Sequence, residues 1–416
     1  MTPVVPIDIL ILSNAPGELT TWVYPVLQEI ATRSISARIS IVLSPCSNAS
    51  GNEASIAQSY PNVVRVLPPE QFFSFLLFGK TPDWDWHPHG IVIFLGGDQI
   101  FPVVIGKRLG YKTLIYAEWE ARWLGWIDYF AVRNEKVGSV IPAKFQSKVT
   151  VVGDLMVDRA SIPNPANSID HNIQRVVLMP GSKAMKLRQG LPLCLGIADR
   201  LKQKYPALEF SIALAPTLTP QALAKFAQPN PVVDLVSGST AELIDRDVSY
   251  QLRTAAGTEV EVSLTFPAHD LLKSALFCIT TVGANTAELA ALQVPMVILL
   301  PTNQLDAMRG WDGIWGILAN LPLVGTGFAK LINHLFLARS NLLAWPNIWA
   351  GEEIVPELLG HLTPDSVTEF LIPLIEHPEK LDQMRDRLKA VCGEPGAAQK
   401  IVDIAVSSID PKHGSN

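Results

Sequence analysis

Two glycine-containing turns in the first half of the chain carry polar side chains suited to a ligand site. In the stretch 94–102, two glycines precede Asp98 at the end of a predicted strand, where its carboxylate could serve as a general base toward a substrate hydroxyl. The alternative is that Asp98 caps the following helix. After the first predicted strand, Asn14, Gly17 and Glu18 lead into a helix expected near residue 20 or 21. Gly17 would let the backbone approach a ligand, and N–H groups at the helix start favour anions or sugar oxygens, although an ordinary strand-to-helix turn is the alternative.

The second half contains two further turns of this kind. In the stretch 179–183, Gly181 and Ser182 offer N–H and hydroxyl donors and Lys183 offers a positive charge, a combination that suits a diphosphate. The spacing is not that of a Walker A loop. In the stretch 280–290 a strand, a glycine and a helix follow one another, and the helix carries Glu288. Its carboxylate could accept hydrogen bonds from ribose hydroxyls, or it could be a solvated helix charge.

A fifth segment, Pro346–Leu359, combines Asn347 and Gly351 with the adjacent carboxylates Glu352 and Glu353 before an apolar run. Such a loop can present polar groups to a ligand while the following segment anchors it. The alternative is a loop that leads into a helix, with the acidic residues in the first helical turn.

The elements that must position these turns are short apolar strands alternating with helices, in two series. The runs are continuously apolar, which is typical of parallel strands covered on both faces. The stretch Ser161–Asn172, rich in Pro, Asn and Ser, is the predicted linker, so we predict an N-terminal domain over 1–160 and a C-terminal domain over 173–405, both doubly wound and facing a cleft. The predicted strands are Asp8–Ser13, Arg38–Leu43, Val63–Leu67, Ile91–Leu95, Thr113–Tyr116, Tyr129–Val132, Val149–Val152, Arg175–Met179, Phe210–Ala213, Val232–Val236, Phe277–Thr281 and Pro295–Leu300, the predicted helices include Leu191–Lys204 and Ala284–Leu292, and an inserted hairpin is expected over Glu242–Leu264 with its turn at Gly257.

Composition limits the classes of function. A chain of 416 residues is long enough for two domains, and a net charge of −6 argues against a nucleic-acid partner. The four cysteines are scattered, no apolar run reaches about 18 residues, and the N-terminus has no signal-peptide pattern. We therefore expect a cytoplasmic protein. The histidines, including His87 and His89, lack metal-ligand spacing, so no metal is expected.

Taken together, these segments resemble those of the lipid-A-disaccharide synthase family. The stretch 179–183 is similar to the family's Leu-Pro-Gly-Ser-Arg, 283–288 to Ser-Gly-Thr-Ala-Thr-Leu-Glu, and 346–358 to Pro-Asn-x-x-Ala-Gly-x-x-Val-x-x-Glu-Leu. The stretch 393–398 resembles the C-terminal end, while 96–98 and 152–158 match Gly-Ile-Asp and Val-Gly-His-Pro-Leu-Val-Asp. The order and approximate spacing hold over nearly the whole chain.

The resemblance implies an α/β protein of the GT-B fold: two Rossmann-like domains that use a UDP-sugar, mainly through the C-terminal domain, without a metal or other cofactor. It implies an inverting transfer to a lipid-linked or membrane-borne acceptor, with Asp98 as the base. Ser182 and Lys183 would hold the diphosphate, and Glu288 and Asn347 would fix the nucleotide. The nucleotide-sugar set implied in this way is Gly181, Ser182, Lys183, Gly283, Thr286, Glu288, Asn347, Gly351 and Glu352.

Departures from the family pattern gather in the N-terminal half. Asn14 stands where the family has a carboxylate, and Phe101 replaces the second acid of an Asp-x-x-Asp pair. In the other half Lys183 replaces an arginine, and Lys186 falls where the family has a glutamate. The stretch 117–122 adds Glu118 and Glu120. We infer a paralogue with a different acceptor, whose acceptor-side residues are Asn14, Gly17, Glu18, Glu118 and Glu120.

Two apolar segments raise the question of membrane contact. Within Leu305–Ala344, the residues from Phe328 to Arg339 show helical apolar spacing, and Phe72–Phe78 is a second apolar patch. We expect peripheral attachment to the cytoplasmic face, while burial in the core or in a dimer interface is the alternative. The family also suggests a homodimer. Two other functions stay open: a degenerate GT-B protein that binds a nucleotide or lipid, and a UDP-sugar epimerase.

Overall fold

The computed structural model describes residues 7–46, 49, 51–162, 173–246, 249–301 and 342–409. These residues form two compact units. One comprises residues 7–162 together with 393–409, and the other comprises residues 173–392. Most of Ser161–Asn172 and of Leu305–Ala344, including the helix expected from Phe328 to Arg339, lies outside the described residues.

The first unit is built on a seven-stranded parallel sheet in the order β3-β2-β1-β4-β5-β6-β7. Its central strands are mostly apolar because both faces are covered: in the first strand, Ile9 and Ile11 contribute to the core on one face, and Leu10 and Leu12 to the core on the other. The strands are β1 (Ile7–Ser13), β2 (Arg38–Leu43), β3 (Val63–Leu67), β4 (His89–Phe94), β5 (Lys112–Ala117), β6 (Tyr129–Val132) and β7 (Val149–Val151), and the helices are α1 (Pro16–Glu18), the π-helical turn Leu19–Val23, α2 (Tyr24–Thr32), α3 (Glu53–Ser59), α4 (Pro69–Phe78), α5 (Ile100–Leu109), α6 (Glu135–Ser139), the 3₁₀ turn Ala143–Lys148 and α7 (Leu155–Ser161).

The C-terminal helix packs on this first unit, whereas the sequence assigned residues 393–405 to the second domain. Ile401 and Val402 are buried in the first unit's core. The Asp158 carboxylate accepts the backbone N–H groups of Gly396 and Ala398 at the start of this helix. The contribution of a terminal helix to a distant core is a tertiary effect that its amphipathic pattern cannot show.

The second unit is built on an eight-stranded sheet in the order β10-β11-β12-β9-β8-β13-β14-β15. The pairs β10–β11 and β11–β12 are antiparallel and the other pairs are parallel. Its elements are β8 (Arg175–Met179), α8 (Ala184–Lys204), β9 (Glu209–Ala213), α9 (Pro220–Ala224), the 3₁₀ turn Lys225–Ala227, α10 (Pro231–Leu235), β10 (Ala241–Arg246), β11 (Ser249–Thr254), β12 (Glu259–Ser263), α11 (His269–Lys273), β13 (Ala275–Thr281), α12 (Ala284–Ala291), β14 (Met296–Pro301), α13 (Trp345–Ala350), β15 (Glu357–Gly360), α14 (Pro364–Glu376), α15 (Pro378–Cys392) and, packed on the first unit, α16 (Ala397–Ile409).

Two predicted elements of the second unit are wrong. Residues 232–236 are not a strand: Asn230 accepts the N–H of Val232, and Pro231 occupies the first turn of helix α10, so capping outweighs the β-branched composition. The acidic residues of Pro346–Leu359 do not open a helix. Helix α13 precedes them and strand β15, paired with β14, follows them.

The predicted hairpin is confirmed and extended. Strands β11 and β12 pair with the turn at Gly257, whose N–H donates to the carbonyl of Thr254 at 2.9 Å and whose φ is +90°. Strand β10 adds a third strand. Because β12 also pairs with β9, the hairpin continues the main sheet.

Asp8 anchors a buried polar network where strand β1 begins, at the edge of the sheet opposite the turns singled out above. Its carboxylate accepts the Arg38 guanidinium (2.7 Å to Nε), the Tyr111 hydroxyl (2.6 Å) and the His87 backbone N–H (2.8 Å). Burial alone would raise the pKa of Asp8, but these hydrogen bonds and the charge of Arg38 outweigh it, so the pKa lies below its ordinary value. The network therefore stabilises the ionised form and the fold together.

We expect Asp8→Asn to lower the free energy of unfolding by about 3 kcal/mol, because it leaves the Arg38 charge without its buried partner. Since the pKa is lower in the folded chain, the stabilisation by Asp8 is present above the unfolded-state pKa and is lost as pH falls through the folded one. The difference in free energy of unfolding between the unchanged protein and Asp8→Asn should therefore disappear in acid. Urea unfolding across pH measures it, with the exposed Arg38 partner Asp85→Asn as control. Equal losses for both variants would contradict this account.

Candidate functional site

The candidate site of the first unit lies where β1 and β4 end side by side. The chain leaves β1 toward β2 on one side and β4 toward β5 on the other, which makes this the switch point of the sheet, the usual ligand position in doubly wound folds. Gly96 and Gly97 follow β4 and have φ of +151° and +107°. A Cβ atom on Gly96 would lie 2.7 Å from Asn14 Oδ1, and one on Gly97 would lie 2.8 Å from Ser44 Oγ. The two glycines are therefore required by close packing.

Asp98 follows these glycines. The two roles predicted for it, helix cap and general base, fall on different carboxylate oxygens. Oδ1 accepts the N–H of Ile100 at 2.9 Å, a capping contact at the start of α5. Oδ2 lies 3.7 Å from Arg122 Nη1 in a half-exposed ion pair. One carboxylate oxygen is thus held by the backbone, which orients the other toward the solvent-accessible edge of the sheet.

Glu18 and Glu118 are half-buried acids at this edge. Burial raises the pKa of Glu18. Burial, followed by the negative charge of Asp154 and partly offset by Arg133, raises the pKa of Glu118 to about 7, and Glu18 adds to the shift. Glu118 therefore exchanges its proton near neutral pH, a property that the sequence did not indicate.

Glu120 lies in different surroundings, because it is exposed and pairs with Arg122 at 3.2 Å. The loop that carries it is fixed by Gln99, whose buried side chain donates to the Glu120 carbonyl and accepts the Arg122 N–H. Gln99 was not predicted as a site residue. Its contacts tie the loop after β4 to the loop after β5.

Gly17 lies closer to the helix start than expected, and its approach to a ligand stays a prediction. The helix begins at Pro16, earlier than predicted, so Gly17 lies inside its first turn, and nothing lies within 4 Å of a Cβ atom built there. Its carbonyl accepts the hydroxyls of Thr20 and Thr21. The following turn is a π-helix, a feature that often accompanies functional sites.

The candidate site of the second unit lies at the corresponding switch point, where β8 and β13 end. Ser182 and Lys183 are exposed before helix α8, whose 21 residues present the positive end of the helix dipole. Lys186 reaches back between the two loops and donates to the Val282 carbonyl at 2.6 Å. Cβ atoms on Gly181 and Gly283 would lie 3.0 Å from Lys186 Cβ and 3.3 Å from its Nζ.

Lys186 thereby joins the two predicted turns. Burial, with the neighbouring charge of Lys183, lowers its pKa. Close by, the Thr281 hydroxyl lies 3.6 Å from the Gly181 Cβ position and is buried without a hydrogen-bond partner among the described residues. A positive helix end, two lysines and an unpaired hydroxyl suit an anionic ligand.

Glu288 is held by a residue that the sequence analysis missed. Its Oε1 lies 3.1 Å from Nε2 of His269, which is almost fully buried at the start of α11. Glu288 keeps about a quarter of its side chain exposed. The imidazole therefore orients a carboxylate that is still accessible to a ligand.

Asn347 and Thr286, predicted among the ligand contacts, are fully buried and hydrogen-bonded within the protein. Asn347 is 0% exposed: Oδ1 accepts the N–H groups of Ile354 and Val355, and Nδ2 donates to the Val355 carbonyl and to Glu357 Oε1. Thr286 is also fully buried, donates to the Gly283 carbonyl and accepts the N–H of Trp345. Both side chains hold the backbone around the site.

The acids of Pro346–Leu359 also have structural partners. Glu352 is exposed and pairs with Arg387 at 2.7 Å, while Gly351, at φ +74°, ends helix α13. The acid that organises the segment is Glu357, which was not singled out. It accepts the N–H groups of Leu343 and Ala344 before helix α13.

Among the described residues, no group of three or more His, Cys, Asp or Glu side chains is arranged to hold a metal ion.

Comparison with solved structures identifies the fold. The chain is similar to a structure described as a putative UDP-N-acetylglucosamine 2-epimerase from Listeria monocytogenes, with a TM-score of 0.57 at 12% identity over 97% of both chains. It is also similar to the UDP-GlcNAc 2-epimerase from Neisseria meningitidis bound to UDP-GlcNAc, with a TM-score of 0.52 at 14% identity over 96% of this chain and 100% of that one. The two Rossmann-like units and this likeness define the class: the chain is a GT-B protein.

Sequence comparison shows which named proteins the chain is similar to. The chain is 24% identical over 328 residues to the lipid-A-disaccharide synthase of Geobacter metallireducens, covering 74% of this chain and 72% of that protein. The same-named protein of Gluconobacter oxydans is 27% identical over 252 residues, covering 56% and 48%, and that of Granulibacter bethesdensis is 25% identical over 316 residues, covering 74% and 61%. The last two matches span less than two thirds of the relatives' length. No protein-family model matches. The chain is thus similar to proteins named lipid-A-disaccharide synthase at 24–27% identity.

The structural role of Asn347 can be tested against a ligand-binding role. We expect Asn347→Ala to lower the free energy of unfolding by about 2–3 kcal/mol, because it leaves buried N–H and carbonyl groups unpaired. Glu352→Gln, which breaks only an exposed ion pair, should leave stability nearly unchanged. Urea unfolding compares them. A stable Asn347→Ala protein that has lost affinity for UDP would show that the side chain contacts the ligand.

Proposed function

We propose that this protein is an inverting glycosyltransferase that moves a sugar from a UDP-sugar to a lipid-linked acceptor without a metal ion. The observation that carries the proposal is the anion-suited switch point of the second unit: exposed Ser182 and Lys183 at the positive end of a 21-residue helix, with Lys186 between the two loops. The relatedness to lipid-A-disaccharide synthases supports the lipid acceptor. The structure neighbour bound to UDP-GlcNAc supports the choice of nucleotide.

In the proposed reaction, the second unit holds the donor. Ser182 and Lys183 bind the diphosphate together with backbone N–H groups at the start of α8, and Lys186 adds charge from behind the loops. Glu288, oriented by His269, accepts hydrogen bonds from the ribose. As the bond between the anomeric carbon and the diphosphate breaks, negative charge grows on the phosphate oxygens. The two lysines therefore stabilise the transition state more than the ground state.

The first unit holds the acceptor and the base. An acceptor hydroxyl gives its proton to Oδ2 of Asp98, the oxygen that faces Arg122, while the hydroxyl oxygen forms the new bond to the anomeric carbon. The electron pair of the broken bond leaves with UDP, and attack from the opposite face inverts the anomeric configuration. The capping contact with Ile100 keeps the carboxylate oriented for this step.

We expect Asp98→Asn to lower the transfer rate by about 10²- to 10⁴-fold while UDP affinity stays unchanged. Lys183→Ala should weaken UDP binding by about 10- to 100-fold, because a charge-assisted contact is lost. The matched controls are Asp365→Asn, an exposed ion-pair carboxylate, and Lys204→Ala, at the other end of α8.

Calorimetry with UDP and transfer assays with a panel of UDP-sugars and membrane lipid extracts provide the measurements. Full activity in Asp98→Asn would reject the assigned base. UDP binding without transfer to any lipid would favour the degenerate binding protein. Conversion of a UDP-sugar to its epimer in the absence of acceptor would favour an epimerase.

We also propose that the first unit attaches peripherally to the membrane that carries the acceptor. No helix in the described part of the chain is long and apolar enough to cross a bilayer. Helix α4 leaves Leu77 and Phe78 60% and 72% exposed at its end. Arg108 donates to the Leu77 carbonyl there. Exposed apolar side chains beside a cation suit the headgroup region of a bilayer.

The double substitution Leu77→Ser with Phe78→Ser should reduce binding to vesicles of anionic phospholipid by at least about tenfold, since two large apolar side chains no longer leave water. Leu235→Ser, which changes an exposed leucine of the second unit, is the control. Vesicle co-sedimentation measures both. Undiminished sedimentation of the double variant would reject α4 as the attachment site.

A further inference from the structure

The edge of the first unit between β1, β2 and β4 contains polar atoms that the protein itself does not satisfy. The hydroxyls of Ser13 and Ser44 are buried, with 0% and 3% of these residues exposed, and neither has a hydrogen-bond partner in the described structure. Asn14 Oδ1 is unpaired in the same way. Buried polar groups normally have a hydrogen-bond partner, so three unpaired oxygen atoms at one edge of the sheet require an explanation.

Two of these unpaired oxygen atoms adjoin the two glycines that follow β4. Ser44 directly follows β2, and its Oγ lies against Gly97, while Asn14 Oδ1 lies against Gly96. Glu18 packs on the same glycine, with Cγ 3.3 Å from the Cβ position. Because positions 96 and 97 carry no side chains, Asn14 Oδ1 and Ser44 Oγ lie directly against glycines, and the second of these, Gly97, is exposed.

The charge at this edge is predominantly negative. Glu118 directly follows β5, the neighbour of β4, and interacts electrostatically with Glu18 and Asp154. The cation that acts on it, Arg133, is already committed to Asp154 through a buried ion pair of 2.9 Å. At the entrance, Arg122 is shared between Asp98 and Glu120. An anionic group placed here would meet like charges, and the two cations named, Arg133 and Arg122, are already paired with carboxylates.

We propose that this edge binds an uncharged, hydroxyl-rich headgroup, and that Glu18 and Glu118 make the site select against acceptors carrying a phosphate. The inference rests on the proposed function in taking this edge as the acceptor side. Sugar or polyol hydroxyls can donate to the carboxylates and to Asn14, and can pair with the hydroxyls of Ser13 and Ser44. A phosphate supplies only acceptors and negative charge. Glu118 and Glu18 are positioning and selectivity residues here, and Asp98 remains the base.

The titration of Glu118 gives the selectivity a pH dependence. With its pKa near 7, Glu118 is protonated in mild acid and ionised in mild alkali, in the presence of the charges of Glu18, Asp154 and Arg133. Rising pH therefore adds a negative charge to the site. Discrimination against an anionic headgroup should increase across this range, beyond the change due to the second ionisation of the phosphate itself.

The test uses the full chain and three matched probes below their micelle concentrations: octyl glucoside, its 6-phosphate, and octyl 2-amino-2-deoxyglucoside. Calorimetry at about pH 6 and about pH 8.5 brackets the Glu118 pKa. We expect the neutral glucoside to bind at least about tenfold more tightly than the phosphate at the higher pH. In Glu118→Gln the preference should fall and lose its extra pH dependence.

Ser44→Ala is the second variant, because removing an unpaired hydroxyl should not destabilise the fold. We expect it to weaken binding of the neutral glucoside by about five- to tenfold with unchanged urea unfolding. Equal or tighter binding of the phosphate, or tightest binding of the amine with proton release, would overturn the proposal. So would unaltered glucoside affinity in Ser44→Ala.

UDP binding by the same samples separates this inference from the proposed function. If UDP binds and the neutral glucoside does not, the inference about the acceptor edge fails while the donor assignment stands. If the glucoside binds with the expected selectivity and UDP does not bind, the transferase proposal fails while the headgroup site stands.

Discussion

Both candidate sites depend on the close approach of backbone at a switch point between parallel strands. At the ends of β1 and β4, and again at the ends of β8 and β13, glycines occupy positions where a Cβ atom would lie within about 3 Å of a neighbouring side chain. The strand order brings the two loops together, and the glycines let polar side chains pack directly against the backbone. Without this close approach, Asn14 and Ser44 could not pack against Gly96 and Gly97, and Lys186 could not reach from one loop to the other.

Both candidate sites contain buried polar groups that the protein leaves without a hydrogen-bond partner, although others, such as Arg65 Nη2 and Thr368 Oγ1, lie elsewhere in the described structure. Asp8, Asn347 and Asp158 are buried, and each carries several hydrogen bonds within its own unit, so they fix the architecture. Ser13, Ser44 and Thr281 are equally buried but have no partner within the described residues, and all three lie at the carboxyl ends of strands. Since an unpaired buried hydroxyl carries a free-energy cost, its persistence at these positions points to a ligand that completes the pairing.

Most strands could be predicted from the sequence because parallel strands buried on both faces leave a continuous apolar run, as β2 and β8 do. The same signal failed at residues 232–236, where Asn230 and Pro231 start a helix. Site residues were harder to predict from the sequence than strands. Motif resemblance suggested ligand contact for Lys183 and Glu288, which lie where strands of the second sheet end, and also for Asn347, whose partners lie seven to ten residues away in a folded loop. Ser44 and His269 were missed because only strand order and tertiary packing bring them to the sites.

Two departures from the synthase pattern lie at the candidate sites, where they change the local charge. In the second unit, the change of sign at Lys186 adds a cation behind the two loops suited to a diphosphate. In the first unit, the added Glu118 lies beside Glu18 at the edge proposed for the acceptor, where it adds negative charge. The two changes shift the electrostatic potential in opposite directions, each within its own unit. A donor that keeps its diphosphate, combined with an acceptor that carries no phosphate, is the substrate pair to which such a protein would be complementary.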